Sequence, residues 1–335
     1  MRPLYSKNEV RRAGGVLRST SPAPEDRAWA DKVLAHWRSA HEEPLKEILA
    51  ALASIKPDGS IVAGRLKRID TIQGKLRREG QHHELDTMYD IAGCRIIVQK
   101  LDDIADVKET ICNLFEVHKL NDYIVRPKDT GYRSLHVISK HQSLSLGYTN
   151  LKVETQIRTR IQHSWATAVE SYDLISRSHL KFGSAGVLVG RFFALAANVL
   201  AIDEGAPLVS GLPSDAGELS DELRSIDSQL HILERLDAFS QSMQSVSVDK
   251  NDRSPAYYLI SANLDDQQII IEPIFDSNSL ETMAEYGEKE REKNTPDDVL
   301  LVKADSIEEL RKAYPNYFSN IEPFINVLRS VIERG

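Results

Sequence analysis

Lys152-Val-Glu-Thr-Gln-Ile-Arg-Thr159 alternates without a break. Successive side chains on a strand point to opposite faces, so Val153, Thr155 and Ile157 share one face and Glu154, Gln156 and Arg158 the other. A core strand has little use for an acid, an amide and a base side by side. The pattern therefore predicts a sheet with one apolar face and one face that is a site. Just upstream, Lys128-Asp-Thr-Gly-Tyr-Arg-Ser-Leu-His136 gathers a turn, an aromatic ring, two bases, a hydroxyl and a histidine. A strand-like run from Leu135 to Ser139 follows it.

The chain has 335 residues, enough for about two domains. Its formal net charge of -8 means that any polyanion site is a local patch on an acidic molecule. Cys94 and Cys112 are its two cysteines, so neither a disulfide framework nor a cysteine zinc site is readable. A reducing compartment fits, and the cytoplasm is the expected location. The most apolar stretch, Val187 to Ala201, is interrupted by Arg191 and Asn198, so no membrane partner is expected.

In chain order, residues 1–24 form a basic segment ending in Ser-Thr-Ser-Pro-Ala-Pro, a loop signature. Helical spacing runs from Glu25 to about Ile55, with a break or kink expected at Pro44. Gly64 to Arg78 reads as one helix, striped by Leu66, Ile69, Ile72 and Leu76. Lys67, Thr71 and Lys75 would form a polar line along it, with Arg65 at its N-terminal end, where helix amides favour anions. On its own, a basic line of this kind is ordinarily a solvated face. Ala92 to Val98 is a buried-strand run with Asp90 at its mouth, and Asp102 to His118 reads as a helix. Helices follow at 160–174, 187–202 and 219–248, with a Pro/Gly linker at 205–215 before the last. The C-terminal part reads as two strands, 256–262 and 268–273, an acidic helix at 279–293, a strand at 299–304 and helices at 306–314 and 320–333.

Together these elements predict an α/β chain. Residues 25–205 would form a mixed sheet flanked by helices, and 206–250 a linker and amphipathic helix. Residues 251–335 would form a second, small α+β domain. That last part carries no catalytic constellation; oligomer contact, regulation and self-neutralisation all remain open for it.

Asp90 and Glu154 are the acids to pair, since each belongs to a strand of the proposed sheet. Two carboxylates on neighbouring strands suit Mg²⁺, which takes few protein ligands and leaves the rest to water and phosphate oxygens. With Arg65, Lys67, Lys75, Arg95 and Lys128 nearby, the set is the equipment of phosphoryl or nucleotidyl transfer. Tyr132, beside Gly131, is suited to stacking on a base, although a buried loop aromatic is an equal reading of that residue alone. No Walker loop, Gly-x-Gly-x-x-Gly fingerprint or protein-kinase signature is present. Side chains, not a glycine cradle, would hold the nucleotide.

Five segments, taken in order, resemble the synthetase motifs of the RelA/SpoT alarmone synthetases. They are Arg65-x-Lys67-x-x-x-Thr71-x-x-x-Lys75, Asp90-Ile-Ala-Gly-Cys-Arg95-Ile, Asp122-Tyr-Ile-Val-Arg-Pro-Lys128, Gly131-Tyr-Arg-Ser-Leu-His136 and Glu154-Thr-Gln-Ile-Arg-Thr159. The likeness covers about residues 30–205 and is that of a small, stand-alone synthetase with a C-terminal extension. It implies a nucleotidyltransferase-like fold and transfer of pyrophosphate from ATP to the 3′-hydroxyl of GDP or GTP, with Mg²⁺ as cofactor. It further implies that Asp90 and Glu154 bind the metal, with Glu154 orienting or deprotonating the attacking hydroxyl. Arg65, Lys67, Thr71, Lys75 and Arg95 would hold ATP. Lys128, Tyr132, His136 and Gln156 would hold the acceptor, with Tyr132 stacking on its base.

Departures from the family pattern gather around the acceptor. Thr130 and Arg133 replace the usual Asn and Gln, and Lys119-Leu-Asn precedes Asp122; Thr71 for Ser is a milder change. Two alternatives follow. One is a toxic relative that modifies the 3′ end of tRNA or an adenine nucleotide, with Arg126, Arg133, Arg158 and Arg160 as additional phosphate contacts. The other is a non-catalytic nucleotide sensor. A homo-oligomer is a further open partner.

Overall fold

The computed structural model describes residues 2–78, 83–179, 185–242, 244–247, 255, 257–263, 268–275, 298–304, 306–314 and 321–334. One nine-stranded mixed sheet organises them, in the order β3-β4-β5-β2-β1-β9-β7-β8-β6. Its first part comprises β1 (Ile61–Leu66), β2 (Ala92–Val98), β3 (Val117–Asp122), β4 (Leu135–Ser143) and β5 (Tyr148–Thr159). Its second part comprises β6 (Gln244–Ser247), β7 (Tyr257–Asn263), β8 (Gln268–Ile274) and β9 (Asp298–Lys303). The pairs β2–β5 and β6–β8 are parallel and the others antiparallel.

The alternation in β5 is realised. Val153 and Ile157 lie in an apolar core with Ala92, Cys94 and Ile96 of β2. Helices α3 (Glu42–Ile55) and α5 (Leu101–Leu114) cover that face through Leu45, Ile48, Leu52, Ile104 and Val107. Gly64 of β1 sits where a Cβ would come within 2.8 Å of Leu49 Cδ1, so α3 packs directly on the backbone there.

Three sequence expectations are corrected. The 64–78 segment is not one helix: Ile61–Leu66 is a strand, and helix α4 begins only at Ile69 and ends at Arg77. The i+3/i+4 stripe is real from Ile69 onward, but Leu66 belongs to β1, which pairs with both β2 and β9. Arg65 is therefore a strand residue and not at a helix N-terminus. The helix expected at 102–118 ends at Leu114, and its last two residues, Val117 and His118, open the strand β3, which pairs with β4. The basic N-terminal segment contains a full helix, α1 (Lys7–Arg18). Ser6 caps it: its Oγ accepts from Glu9 N at 3.3 Å while its own N donates to Glu9 Oε2 at 2.8 Å. Val10, Ala13 and Leu17 are fully buried against α2 (Pro24–Ala40) and α4.

The expected break between the next two helices falls at His41. Pro44 lies within the first turn of α3, where its missing N–H removes no helical bond. Helices α6 (Arg160–His179) and α7 (Ala185–Glu204) follow β5. The helix expected at 219–248 is two, α8 (Ala216–Leu230) and α9 (Ile232–Ser242), separated at His231, whose φ of 52° is left-handed. Within α7, Gly186–Glu204 is long and apolar enough to cross a membrane. Phe192, Leu195, Ala196 and Leu200 of that stretch pack instead among α6, α8, α9 and the C-terminal helix α11 (Glu322–Arg334).

The C-terminal part has the α+β character expected of it, and its strands continue the same sheet. β7 and β8 form the antiparallel hairpin and β9 bridges them to β1. A short helix, α10 (Ile307–Ala313), covers the face opposite α3, over Ile61, Ala63, Ile260 and Val302. The turn at 264–267 and the acidic helix expected at 279–293 lie outside the described residues.

Tyr257 of β7 ties this part to α3: its hydroxyl donates to Glu42 Oε1 at 2.6 Å in a buried setting. Tyr257→Phe removes this charge-assisted bond and leaves the buried Glu42 Oε1 to Lys46 Nζ alone, 2.7 Å away, so stability should fall by about 1–3 kcal/mol in urea unfolding. An unchanged midpoint would show that this bond does not hold the C-terminal part in place.

Candidate active site

On the face opposite α3, the strand registers line polar residues up across the sheet. His136 of β4 stands opposite Gln156 of β5, Gln156 opposite Arg95 of β2, Glu154 opposite Gly93, and Gly93 opposite Arg65 of β1. Arg65, Lys67, Asp90, Gly93, Arg95, Glu154 and Gln156 line one cleft with about 470 Å³ of open space. Gly93 is its floor: with no side chain there, the space between Arg65 and Glu154 stays open.

Asp90 lies two residues before β2, and Lys67 just after β1. The two connections are clipped together by Lys67 N donating to Ile91 O at 2.8 Å. Asp90 Oδ2 accepts from Lys67 Nζ at 2.9 Å, and Oδ1 from Lys75 Nζ at 3.0 Å. Burial pushes the Asp90 carboxyl up, but the two ammonium groups outweigh it and hold the carboxyl below its ordinary value. Burial likewise pulls Lys67 below its ordinary value, opposed by Asp90. The polar line read for 67, 71 and 75 thus survives in part. Lys67 and Lys75 meet on Asp90, while Thr71 stands exposed on α4 and is not among the cleft-lining residues.

Glu154 is held by a hydrogen-bonded row along the strands. His136 Nδ1 lies 3.1 Å from Glu154 Oε1, Gln156 Nε2 donates to Glu154 Oε2 at 3.0 Å, and Arg158 Nη2 donates to Gln156 Oε1 at 3.0 Å. Tyr132 Oη lies 2.8 Å from His136 Nε2. A neutral imidazole protonated at Nδ1 satisfies the whole row, donating to the carboxylate and accepting from the phenol. Burial raises the Glu154 carboxyl, but His136 and Gln156 hold it below its ordinary value, with Asp90 pushing the other way. The two acids therefore converge on one space and feel each other's charge.

Lys128, Tyr132 and His136 also come together. Lys128 Nζ sits 5.0 Å from the Tyr132 ring centre and 4.5 Å from that of Tyr123, a residue the motif reading passed over. Gly131 makes the turn at φ 92°, pressed so close to α7 that a Cβ would come within 2.5 Å of Ala197 Cβ. Arg133 is a support for this loop. It is 4% exposed, and its guanidinium donates to the carbonyls of Gly131 at 3.0 Å and Pro207 at 2.8 Å. Of the four additional bases proposed for tRNA, Arg133 and Arg158 are buried; only Arg126 and Arg160 are exposed.

Tyr314 could not be assigned to the site from motifs, whereas His163 could be read as lining the site or simply packing, and it is not among the cleft-lining residues. Tyr314, at the end of α10, lines the cleft and is 4% exposed. His163 of α6 is buried, and its Nε2 lies 3.1 Å from the Lys312 carbonyl. Cys94 also lines the cleft, but burial pushes its thiol up to about 12, so it is no nucleophile.

A cleft of paired carboxylates rimmed by lysines and arginines, on one face of the central strands of a mixed sheet, defines an enzyme class that handles phosphate esters. Residues 64–173 match the region found in RelA / SpoT proteins. The chain is 39% identical over 158 residues to the GTP pyrophosphokinase YjbM of Bacillus subtilis, covering 44% of this chain and 74% of that protein. It is 36% identical over 113 residues to the GTP pyrophosphokinase YwaC of the same organism, covering 31% of this chain and 52% of that one. Among solved structures, small alarmone synthetase 1 from Bacillus subtilis bound to its product pppGpp aligns at 31% identity and a TM-score of 0.41, over 49% of this chain and 88% of the other. The chain belongs to the RelA/SpoT family.

Because both acids titrate below their ordinary values of 3.8 and 4.5, the stability they contribute is complete above those values and drains away as the pH falls through the lowered ones. Lys75→Met leaves Asp90 equally buried with one ammonium in place of two. Its carboxyl should then titrate higher, in a carboxyl-carbon NMR titration of the two proteins. An unmoved Asp90 would mean that Lys75 is not what keeps it charged.

Proposed function

We propose that this pyrophosphokinase moves the β,γ-pyrophosphoryl group of ATP onto the 3′-hydroxyl of GDP or GTP. The carrying observation is the row Tyr132–His136–Glu154–Gln156–Arg158, which points a charged carboxylate into the same cleft as the lysine-clamped Asp90. In the step itself, the 3′-oxygen forms a bond to the β-phosphorus of ATP, the bond from that phosphorus to the α–β bridging oxygen breaks, and AMP leaves. The hydroxyl proton passes to Glu154 Oε1 or Oε2, whose charged form the row maintains. His136, between Tyr132 and Glu154, keeps that carboxylate oriented while it accepts the proton.

Mg²⁺ fits the residues present: Asp90 and Glu154 offer hard oxygen donors in one cleft, and their mutual repulsion is what a divalent cation would relieve. When bound, it would neutralise charge on the transferred phosphates. Lys67 and Lys75 then serve the phosphates they face as much as Asp90. Arg65 and Arg95, across the cleft on β1 and β2, are the donor-side cations. Tyr132, Tyr123 and Lys128 form an aromatic and cationic edge suited to the acceptor's base and phosphates. Family membership supports these roles, as does the placement of Arg65, Lys67, Asp90, Arg95, Glu154 and Gln156 in the cleft; Lys75 reaches it through Asp90, and His136, Tyr132 and Lys128 adjoin it through Glu154, whereas Thr71 has no such link among the described contacts.

GDP, GTP, ATP and tRNA should be offered side by side with labelled ATP and Mg²⁺. A 3′-pyrophosphorylated guanine nucleotide is the expected product, and Glu154→Gln should reduce its formation about a hundredfold or more. Label on tRNA alone would replace the guanine acceptor. Product unaffected by Glu154→Gln would remove the proposed mechanism.

Gly93→Val gives a second check. A Cβ there meets only Glu154 O, at 3.8 Å, so the strand accommodates it while the added methyls project into the cleft. The melting temperature should hold and calorimetric binding of an ATP analogue should be lost. Retained binding would place the nucleotide elsewhere.

A further inference from the structure

Two residues marked by their sequence context have no part in the chemistry: Asn198, which interrupts the most apolar stretch, and Arg133, which departs from the family pattern beside Tyr132. The structure joins them. Asn198 is fully buried in α7, a helix that otherwise packs through Phe192, Leu195 and Leu200. Its side chain pins the irregular segment 205–213 that follows the helix. Oδ1 accepts from Val209 N at 2.8 Å, and Nδ2 donates to the Pro213 carbonyl at 3.3 Å. Arg133 enters the same segment: its Nη2 donates to the Pro207 carbonyl at 2.8 Å and lies 3.5 Å from Asn198 Oδ1. Its Nη1 donates to the Gly131 carbonyl at 3.0 Å. One planar fork thus spans the turn that leads into Tyr132 and the segment that Asn198 holds.

The turn itself is closed on itself. Its described backbone bonds are internal, Gly131 N to Lys128 O at 2.8 Å and Lys128 N to Tyr132 O at 3.2 Å. Arg133 is kept there at a cost. Its fork meets carbonyls and no carboxylate, Nε finds no hydrogen-bond partner among the described residues, and burial pushes the guanidinium down to about 10 against the pull of Glu204. A buried charge without a close counter-charge does not stabilise a fold. What a guanidinium adds is a rigid fork that bonds two acceptors at a fixed spacing.

We propose that Arg133 and Asn198 are positioning residues for the acceptor. Together they clamp the 128–133 turn to the 205–213 segment, so that the Tyr132 ring and hydroxyl are in place before the acceptor arrives. This rests on the reading of Tyr132 as the acceptor-stacking residue. With the clamp loosened, the turn samples other positions and the acceptor has to select the competent one. The donor side, built on β1, β2 and α4, is left alone. Among the described bonds, Asn198 reaches the turn through Arg133 and the 205–213 segment, so the two residues act as one unit.

The test uses the full chain unaltered, as Arg133→Lys, as Asn198→Leu and as the double variant. A lysine lacks the fork, and leucine fills the Asn198 position without bonding Val209 or Pro213. Asn198→Leu lies away from the turn and stands in if Arg133→Lys fails to fold. GDP and a non-hydrolysable ATP analogue are titrated separately by calorimetry with Mg²⁺. Hydrogen–deuterium exchange is followed over residues 128–133 and, as a reference, over 92–98. A turn in place in about one molecule of ten weakens apparent affinity about tenfold, so each single substitution should weaken GDP binding by about that factor and leave the analogue within about twofold. In turnover the loss should appear in the KM for GDP and not in kcat, because a bound acceptor has already selected the competent turn. Exchange should rise over 128–133 and hold over 92–98. The double variant should stay near the tenfold loss of either single one, since both act on one clamp; a loss of about a hundredfold would separate the two residues and overturn it. GDP and analogue binding weakened alike, with exchange raised over 92–98 as well, would make both residues general supports of the fold and overturn the proposal. Unchanged exchange over 128–133 in both single variants would overturn it too. If no form binds GDP, the guanine acceptor falls, and the local exchange by itself upholds the clamp or overturns it.

Discussion

The parallel pairing of β2 with β5 is the constraint on which this molecule turns. A parallel pair cannot be closed by a tight turn, so the chain must cross over, and it does so through α5, β3 and β4. The crossover brings the strand that follows Asp90 alongside the strand that carries Glu154. Gly93 opposite Glu154 and Arg95 opposite Gln156 are direct consequences of that register. A slip of one residue would turn Glu154 and Gln156 into the apolar layer under α3, and Val153 and Ile157 into the cleft. The hydrophobic pattern of β5 forbids that slip, so the packing of the core fixes the orientation of the site.

The cleft keeps two carboxylates charged in a setting that would otherwise neutralise them. Each acid has its own compensation: two ammonium groups for Asp90, and a histidine and an amide for Glu154. These partners come from different elements, α4 and the strand ends in one case and β4 and β5 in the other. The site therefore depends on the whole sheet and not on a single loop. The loop bearing Tyr132 is anchored in the same way. Gly131 is pressed against α7, and Arg133 ties the loop to the chain that follows that helix. The Arg133 departure from the family pattern is thus a structural support behind the loop.

Much of this was legible in the residues. Ala92–Val98 and the alternating 152–159 segment announced their strands because burial on one or both faces dictates side-chain type along a strand. Asp90, Glu154, Arg95, Lys67 and Lys75 could be named because charged and polar side chains at strand ends and on a strand face need a purpose. What escaped was decided by partners. Ile61–Leu66 is a strand because β2 and β9 flank it, while Leu66 also fits the helical stripe of its C-terminal neighbours. Val117–Asp122 is polar throughout most of its length and pairs only with β4, so no alternation marked it.

The order of elements, the apolar and polar faces of the central strands and the chemical kind of the site were written into the linear chain, because local spacing records which side chains must be hidden. Which strands would be neighbours, that Thr71 would stand apart from the lysines it was grouped with, and that Tyr314 would close over Arg95 were settled only by folding. Such contacts join residues distant along the chain, and their energies come from burial and charge shared between elements that no local spacing records.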